Sequence, residues 1–312
     1  MSGRVIAIGG PTASGKTSLA IEVAQRVGGE IVSCDSMQVY RLLDVGTAKP
    51  TAEERAAVPH HLIDFLPPEQ RYSVAEYVRD ARAVIADIQS RGRVPVICGG
   101  TGLYMRSLLQ GIDFDAAASV DEALREQLKA VYREQGPQVL LDEIAAVDRA
   151  YAQKLAPADE KRIVRAVELI RTTGSTVPQQ NARSRVYEPL SCNGYFLDFS
   201  NRALLYERIH ARIDAMLQQG LLQEAKLVYD HRDTYTTAAA AIGYKELFGY
   251  FEQQLPLEQC VEKLKQATRN YAKRQLTWFR REEGFAVLDG AMADTRALAD
   301  TVVKVWFEGN AT

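Results

Sequence analysis

Residues 10–17 read GPTASGKT and match the pattern G-x-x-x-x-G-K-[ST] at every required position. An apolar run at 5–8 precedes this segment, and a run of helix-forming residues at 18–27 follows it. A glycine-rich turn between a strand and a helix points several backbone N–H groups and the positive end of the helix dipole into one concavity. In such a turn Lys16 reaches the outer phosphate oxygens, and the Thr17 hydroxyl is placed to hold Mg²⁺. The sequence therefore predicts a strand–loop–helix unit that binds a di- or triphosphate.

The first third of the chain alternates strand and helix patterns. Strands are predicted at 4–8, 30–33 and 94–98, and a helix over 74–91 begins with the capping-box pair Ser73 and Glu76. This alternation is typical of a parallel sheet with helices on both faces, which binds ligands outside the carboxyl ends of its strands.

From about residue 112 to 190 the pattern becomes helical and charged, and strands return only at 195–199. We therefore predict an α/β fold with a P-loop NTPase-like parallel-sheet core, formed by residues 1–112 and 190–312, and an inserted helical domain over 113–189. Helices are predicted in the insertion at 121–134, 137–147 and 158–173, and in the C-terminal part at 202–219, 222–229, 240–253 and 257–283. A loop is expected over 175–189, and a last strand at 286–288.

Composition excludes several classes of protein. The chain has 312 residues, 46% of them hydrophobic and 25% charged, as in an ordinary globular protein of about two domains. No apolar run approaches the ~20 residues of a membrane span. The first strand begins so early that we expect no targeting peptide. The four cysteines lack zinc or C-x-x-C spacing, so we expect a reducing, cytoplasmic location.

Charge is distributed unevenly. The formal net charge is −2, yet residues 263–281 contain seven basic side chains and no acidic one. Such a stripe is typical of a surface that contacts a phosphate backbone. Within it, Lys273 and Arg274 are candidate contacts to nucleic acid.

Two further segments follow strands and should reach the phosphate loop. Asp35 could act as a general base, could contact the direct ligands of Mg²⁺ without binding the ion, or could only cap the next turn. Thr101, after two glycines, could cap a helix or donate to a phosphate oxygen. Strand 94–98 carries no acid at its end, which disfavours an ATPase. The adjacent histidines of PHHLID, 59–64, cannot face the same side of a strand, so no two-histidine metal site is expected there. The segment is predicted as a polar loop at the surface or in contact with substrate.

Seven motifs occur in order along nearly the whole chain: GPTASGKT (10–17), DSMQ (35–38) with Tyr40, DVGTAKP (44–50), PHHLID (59–64), GGTGLY (99–104), AIGYKEL (241–247) and TRNYAKRQLTWF (268–279). In this combination they resemble the motifs of the tRNA dimethylallyltransferases, also called tRNA isopentenyltransferases. The resemblance implies transfer of a dimethylallyl group from dimethylallyl diphosphate to N6 of adenosine 37 in the anticodon loop of tRNA. The phosphate loop would then hold a diphosphate leaving group with Mg²⁺.

The resemblance also implies roles for individual residues. Asp35 would be the general base, Thr101 would lie at the mouth of the reaction tunnel, and Arg208 would lie near the diphosphate. The diphosphate-binding residues would be Gly10, Pro11, Thr12, Ala13, Ser14, Gly15, Lys16 and Thr17. The tRNA-binding residues would be Asp35, Ser36, Met37, Gln38, Thr101, Arg125, Lys161, Arg162, Ile163, Val164 and Arg165. The insertion would clamp the anticodon stem-loop, and we expect a monomer that binds no membrane.

Three alternatives remain open from the sequence. A small-molecule kinase shares the phosphate loop and would transfer phosphate from ATP. An adenylate isopentenyltransferase would prenylate free AMP or ADP, although the basic C-terminal stretch favours a polymeric acceptor. A non-catalytic RNA-binding module would not need Lys16 and Thr17.

Overall fold

A computed structural model describes residues 4–112, 121–183, 186–292 and 294–309. Residues 113–120, where the predicted insertion begins, lie outside the described residues. The chain divides into two compact units. An α/β unit consists of Met1–Leu109 with Pro189–Thr312, and a helical unit consists of Gln110–Glu188. Among the described helices, none combines the length and apolar character needed to cross a membrane.

The α/β unit is built on one sheet in which every strand pair is parallel. The strand order is β3-β2-β4-β1-β5-β6. The strands are β1 (Val5–Gly9), β2 (Gly29–Ser33), β3 (His60–His61), β4 (Val94–Gly99), β5 (Cys192–Asp198) and β6 (Phe285–Asp289). β1 is buried along its whole length because helices cover both faces of the sheet, so the predicted parallel α/β fold is confirmed.

The helices, in chain order, are α1 (Lys16–Val27), α2 (Ala52–Ala57), α3 (Val74–Ser90), α4 (Gly102–Gln110), α5 (Glu122–Gln135), α6 (Pro137–Val147), α7 (Arg149–Ala152), α8 (Glu160–Thr173), α9 (Val177–Arg183), α10 (Arg202–Gln218), α11 (Leu221–Asp230), α12 (Thr236–Ala239), α13 (Phe248–Phe251), α14 (Leu257–Phe279) and α15 (Thr295–Glu308). α3 starts as predicted, because Ser73 accepts from the Glu76 N–H and Glu76 accepts from the Ser73 N–H. One core lies between the sheet, α1 and α15, and a second lies among α10, α11 and α14.

The register aligns the carboxyl ends of the central strands. Gly9 of β1 lies opposite Gly99 of β4, and Ser33 of β2 lies opposite Cys98. The loops that follow β1, β2 and β4 therefore leave the sheet at the same edge. This edge is where a parallel sheet places its ligands.

Three local predictions are wrong, over residues 59–64, 240–253 and 175–189. His60 and His61 form the short edge strand β3, opposite Ile31 and Val32 of β2, rather than a loop. The single helix predicted over 240–253 is interrupted, because Gly243 adopts a φ of 114° that a helix does not allow. Only a 3₁₀ turn (Lys245–Leu247) and the short α13 form in that segment.

The loop predicted over 175–189 contains α9. Its start carries a capping box that the sequence pattern T-x-x-Q already indicates. The Thr176 N–H donates to the Gln179 side chain over 3.0 Å, and the Gln179 N–H donates to the Thr176 hydroxyl over 3.4 Å.

The helical unit has its own core between α5, α6 and α8. Leu128, Leu140, Ile144, Ile163 and Val167 are each fully buried there. The apolar stripe of α8 thus faces its neighbours. Burial of each such side chain contributes about 1.5–3 kcal/mol to folding.

Candidate active site

The phosphate loop connects β1 to α1 at the carboxyl edge of the sheet. Gly15, with a φ of 88°, and Ala13, with a φ of 60°, turn the chain through the left-handed region. That conformation costs a non-glycine residue such as Ala13 about 1–2 kcal/mol, and strain of this kind is concentrated at functional loops. No side chain caps the N-terminus of α1 at Gly15. The first amides of α1 therefore remain available to an anion.

Two cations face this loop. The Lys16 ammonium donates to the Pro11 carbonyl over 3.2 Å. Burial lowers the pKa of Lys16, Arg212 lowers it further, and Asp35 acts in the opposite direction. Burial also lowers the pKa of the Arg212 guanidinium, again with Asp35 opposing. A bound anion would act against these effects, because a nearby negative charge favours the protonated form of both side chains.

A cavity of about 320 Å³ lies beside the loop and has two chemically distinct sides. Its polar side is formed by Lys16, Thr17, Asp35 and Arg212. Its apolar side is formed by Ile209, Ile213, Met216, Leu221, Ile242 and Leu264, from α10, α11, α14 and the turn after α12. A second cavity of about 560 Å³ shares Lys16, Thr17 and Arg212 with the first. The pair suits a ligand with an anionic head and a small apolar tail.

Asp35 lies on the polar side. Its Oδ1 accepts from the Met37 N–H over 2.9 Å and from the Gln38 N–H over 3.4 Å. Within the described residues no hydrogen bond reaches Oδ2. The turn role and a role toward a ligand are therefore compatible, with one oxygen for each.

Thr101 does not cap α4 with its side chain. Its hydroxyl accepts from the Ser36 N–H over 3.1 Å, and it also interacts with the Tyr271 hydroxyl. Tyr271 lines the cavity and Thr101 does not. Thr101 therefore holds the Asp35–Ser36 turn in place without lining the cavity itself.

Arg208 and Arg212 lie one turn apart on α10. Arg208 donates to the Gly290 carbonyl over 3.0 Å, lies over the Phe199 ring, and reaches only the larger cavity. Arg212 lines both cavities and makes no ion pair in the described part of the chain. The sequence reasoning missed Arg212, although its i, i+4 spacing from Arg208 placed it on the same helix face.

A second missed residue joins two loops of the site. Gln275 of α14 is buried, and its Oε1 accepts from the Thr12 N–H over 2.8 Å. Its Nε2 donates to the Gly100 carbonyl over 2.9 Å. A Cβ at residue 100 would lie 2.2 Å from Nε2, so a side chain there would displace the Gln275 amide. Gln275 thus ties the phosphate loop to the loop after β4.

The basic stretch is partly neutralised, in contrast to its appearance in sequence. Lys265 pairs with Asp214 over 2.9 Å, and Arg280 pairs with Asp198 over 2.7 Å. Lys273, Arg274 and Arg281 are exposed and have no acidic partner among the described residues. They line a surface groove of about 510 Å³ together with Arg106 and Trp278.

In the helical unit, the predicted contact residues have different environments. Arg125 and Arg165 share the fully buried carboxylate of Glu168, at 3.0 and 2.9 Å. Ile163 and Val164 are buried in the core of the unit, so their side chains offer no surface to a ligand. Lys161 and Arg162 are exposed.

The described residues contain no group of three or more His, Cys, Asp or Glu side chains that could hold a metal ion. Mg²⁺ is commonly bound by one or two protein groups together with substrate phosphates. The Thr17 hydroxyl and the Asp35 carboxylate line the same cavity and could provide those groups.

The fold and the site together define an α/β enzyme of the phosphate-loop type, with a cavity that has a cationic side next to the phosphate loop and an apolar side opposite. Family models agree with this class. A model of IPP transferase matches residues 38–282, and a model of isopentenyl transferase matches residues 3–63.

Known relatives define the family more closely. The chain is 46% identical to the tRNA dimethylallyltransferase of Levilactobacillus brevis over 281 residues, which are 89% of this chain and 90% of the relative. It is 41% identical to that of Carboxydothermus hydrogenoformans over 303 residues, 97% of each chain. The protein therefore belongs to the tRNA dimethylallyltransferase family of prenyltransferases.

Solved structures show the same fold. The tRNA isopentenylpyrophosphate transferase of Bacillus halodurans superposes with a TM-score of 0.72 at 38% identity, covering 98% of this chain and 96% of that one. A eukaryotic dimethylallyltransferase acting on tRNA superposes with a TM-score of 0.81 at 28% identity, covering 99% and 80%.

Proposed function

We propose that this protein transfers a dimethylallyl group from dimethylallyl diphosphate to N6 of adenosine 37 in the anticodon loop of tRNA. The observation that carries this proposal is the two-sided cavity. Its polar side suits a diphosphate, and its apolar side suits a five-carbon chain. In the reaction, N6 forms a bond to C1 of the dimethylallyl group, the C1–O bond breaks, and diphosphate leaves.

The leaving diphosphate would be held by the loop amides, Lys16 and Arg212. Positive groups aimed at the departing oxygens stabilise charge that grows in the transition state. The Thr17 hydroxyl would hold Mg²⁺, which when bound supplies further neutralisation of that charge. Arg208 reaches only the larger cavity and would act at its edge.

Asp35 would take the proton from N6. The exocyclic amine is a weak nucleophile because its lone pair is delocalised into the ring, so a base assists the attack. Support for this role comes from the place of Asp35 on the polar side of the cavity and from its Oδ2, which accepts no hydrogen bond among the described residues, with Thr101 holding the turn. The adenosine would leave its stack to reach this position, as in other base-modifying enzymes.

The tRNA would bind through phosphate contacts along the groove of Lys273, Arg274 and Arg281. In the helical unit the exposed Lys161 and Arg162 would contribute contacts, and Arg125 would contribute through the part of its guanidinium that Glu168 leaves open. Contacts of this kind suit recognition of a splayed loop and its backbone.

The decisive experiment is nucleoside mass spectrometry after incubation with Mg²⁺, dimethylallyl diphosphate and either unmodified tRNA or AMP. A prenyl mass gain on tRNA adenosine alone supports the proposal. A gain on AMP alone identifies a free-nucleotide prenyltransferase. If neither acceptor gains mass, the small-molecule kinase hypothesis is tested next, in an ATP-consumption assay.

Two variants test the assigned roles. Asp35→Ala is expected to slow single-turnover transfer by about 10²–10⁴-fold, the range of general acid–base catalysis. A rate near that of the wild type would remove Asp35 as the base.

Arg212→Met is expected to weaken binding of inorganic diphosphate by about 10–150-fold, as for one charged hydrogen bond of about 1.5–3 kcal/mol. The exposed Arg202 at the start of α10 provides the control, Arg202→Met. Equal binding by the two variants would contradict the role of Arg212.

A further inference from the structure

The wall of the donor cavity includes a loop without regular secondary structure. Gly46, Thr47 and Ala48 line the smaller cavity, and Asp44, Val45 and Ala48 line the larger one. This segment, which we call the wall loop (44–48), forms no helix or strand, so its shape depends on what its amides and carbonyls bond to.

Three successive amides of the wall loop converge on one carboxylate. Glu224 of α11 accepts from the N–H groups of Asp44 and Val45 through Oε2, over 2.7 and 2.9 Å. Its Oε1 accepts from the Gly46 N–H over 2.7 Å and from the Tyr244 hydroxyl over 2.9 Å. Consecutive amides that converge in this way form an anion-binding nest. In this protein the nest is filled by its own side chain.

The wall loop is packed closely against Tyr244 at the same point. A Cβ at residue 46 would lie 2.7 Å from the Tyr244 ring, so glycine is required there. Tyr244 is buried, and burial raises the pKa of its hydroxyl well above the usual value. The hydroxyl therefore stays protonated and donates to Glu224.

The wall loop connects in turn to the Asp35 turn. The Gln38 side-chain amide donates to the Thr47 carbonyl over 3.3 Å and to the Ala48 carbonyl over 3.1 Å. The Gln38 N–H donates to Asp35 Oδ1 over 3.4 Å. A continuous series of hydrogen bonds thus runs from Glu224, through the wall loop and Gln38, to Asp35.

We propose that Glu224 is a positioning residue for prenyl transfer. It is not among the side chains that line the two cavities, and it acts by fixing the wall loop that shapes the donor cavity and supports the Asp35 turn. Only the predicted effect on the transfer reaction rests on the proposed function. The role of Glu224 in holding the wall loop can be tested without any reaction.

The test compares Glu224→Gln with Glu207→Gln, the same change at an exposed position of α10. Glutamine at 224 keeps one acceptor oxygen and turns its NH₂ group toward amide donors. We expect single-turnover transfer to fall by about 10–100-fold, as for a misplacement of reacting groups by about 1 Å. The KM for dimethylallyl diphosphate should rise as well, while the tRNA dissociation constant stays within about twofold of the wild type.

A purely structural role would give a different result. Transfer and donor KM within about twofold of the wild type in folded Glu224→Gln would overturn the proposal, and so would a parallel loss of tRNA affinity. If Glu224→Gln does not fold, Glu224→Asp decides, since its side chain is one methylene shorter and cannot reach the three amides as Glu224 does. Wild-type kinetics in folded Glu224→Asp would then refute the role.

Hydrogen–deuterium exchange separates this inference from the proposed function. In Glu224→Gln the amides of 44–46 and of 37–38 should exchange faster than in the wild type and in Glu207→Gln, with the rest of the sheet edge unchanged. If the wild type transfers no prenyl group, the proposed function fails. The link from Glu224 to Asp35 can be refuted in either case. It is overturned if only the amides of 44–46 exchange faster in Glu224→Gln, or if no amide exchanges faster than in the wild type.

Discussion

The bridge made by Gln275 gives a prediction whose size follows from the structure. In Gln275→Leu, a side chain of similar volume loses both polar groups, and the Thr12 N–H and the Gly100 carbonyl lose their partners. A buried polar group without a partner costs about 1–3 kcal/mol. Gly100 is buried and should incur the larger part, whereas Thr12 is half-buried and water can partly replace its partner. We therefore expect the free energy of unfolding to fall by about 2–4 kcal/mol.

The assay is equilibrium unfolding in urea at pH 7, followed by tryptophan fluorescence. Both tryptophans, Trp278 and Trp306, belong to the α/β unit, so the signal reports the unit that contains the bridge. Gln259→Leu is the matched control, an exposed glutamine of the same helix, and should change stability by no more than about 0.5 kcal/mol. If the two variants are equally stable, the bridge does not contribute as argued.

Two further predictions concern charge. Arg91 is the main cause that lowers the pKa of Glu30 to about 2, so the stabilisation by Glu30 is complete above about pH 4.5 and is lost as the pH falls toward 2. Glu30→Gln should therefore unfold more easily at pH 7, and its difference from the wild type in urea unfolding should shrink between pH 4.5 and 2; a constant difference would contradict this. Lys273→Ala with Arg274→Ala should weaken tRNA binding and reduce the slope of log K against log salt by about 1 for each phosphate that the variant no longer neutralises. Lys304→Ala on α15 should leave that slope unchanged, and an equal slope in all variants would show that the groove does not bind phosphate.

The sheet could be predicted because its signals are local and repeated. The apolar runs of β1 and β4 suit strands buried on both faces, and the glycine-rich turn after β1 requires a strand before it and a helix after it. The segment 240–253 was mispredicted as one helix because most of its residues, such as Ala240, Ala241 and Leu247, favour a helix. The conformation of Gly243 decides the outcome there, and that conformation depends on its packing in the folded unit.

The candidate site likewise has a part that could be predicted from the sequence and a part that could not. The phosphate loop and Asp35 could be predicted because each directly follows a recognisable strand. Arg212 and Gln275 were missed because their roles depend on partners far away in sequence, as in the bond between Thr12 and Gln275, which spans 263 positions. Glu224 likewise looks like any exposed glutamate of an amphipathic helix until the wall loop is folded against it.

Helix α14 carries both the basic stretch and a hydrogen bond to the phosphate loop. Consecutive helical residues point about 100° apart, so Lys273 and Arg274 can face solvent while Gln275 faces inward to the Thr12 amide. The surface cations and the phosphate loop are thereby held by one 23-residue helix and need no flexible connection. It follows that substitutions on the outer face of α14 should change RNA affinity alone, whereas a change at Gln275 alters the phosphate loop, which we propose holds the donor. Loss of donor binding in Lys273→Ala would contradict this separation, because Lys273 lines the surface groove and, among the described residues, is not part of the donor-cavity wall.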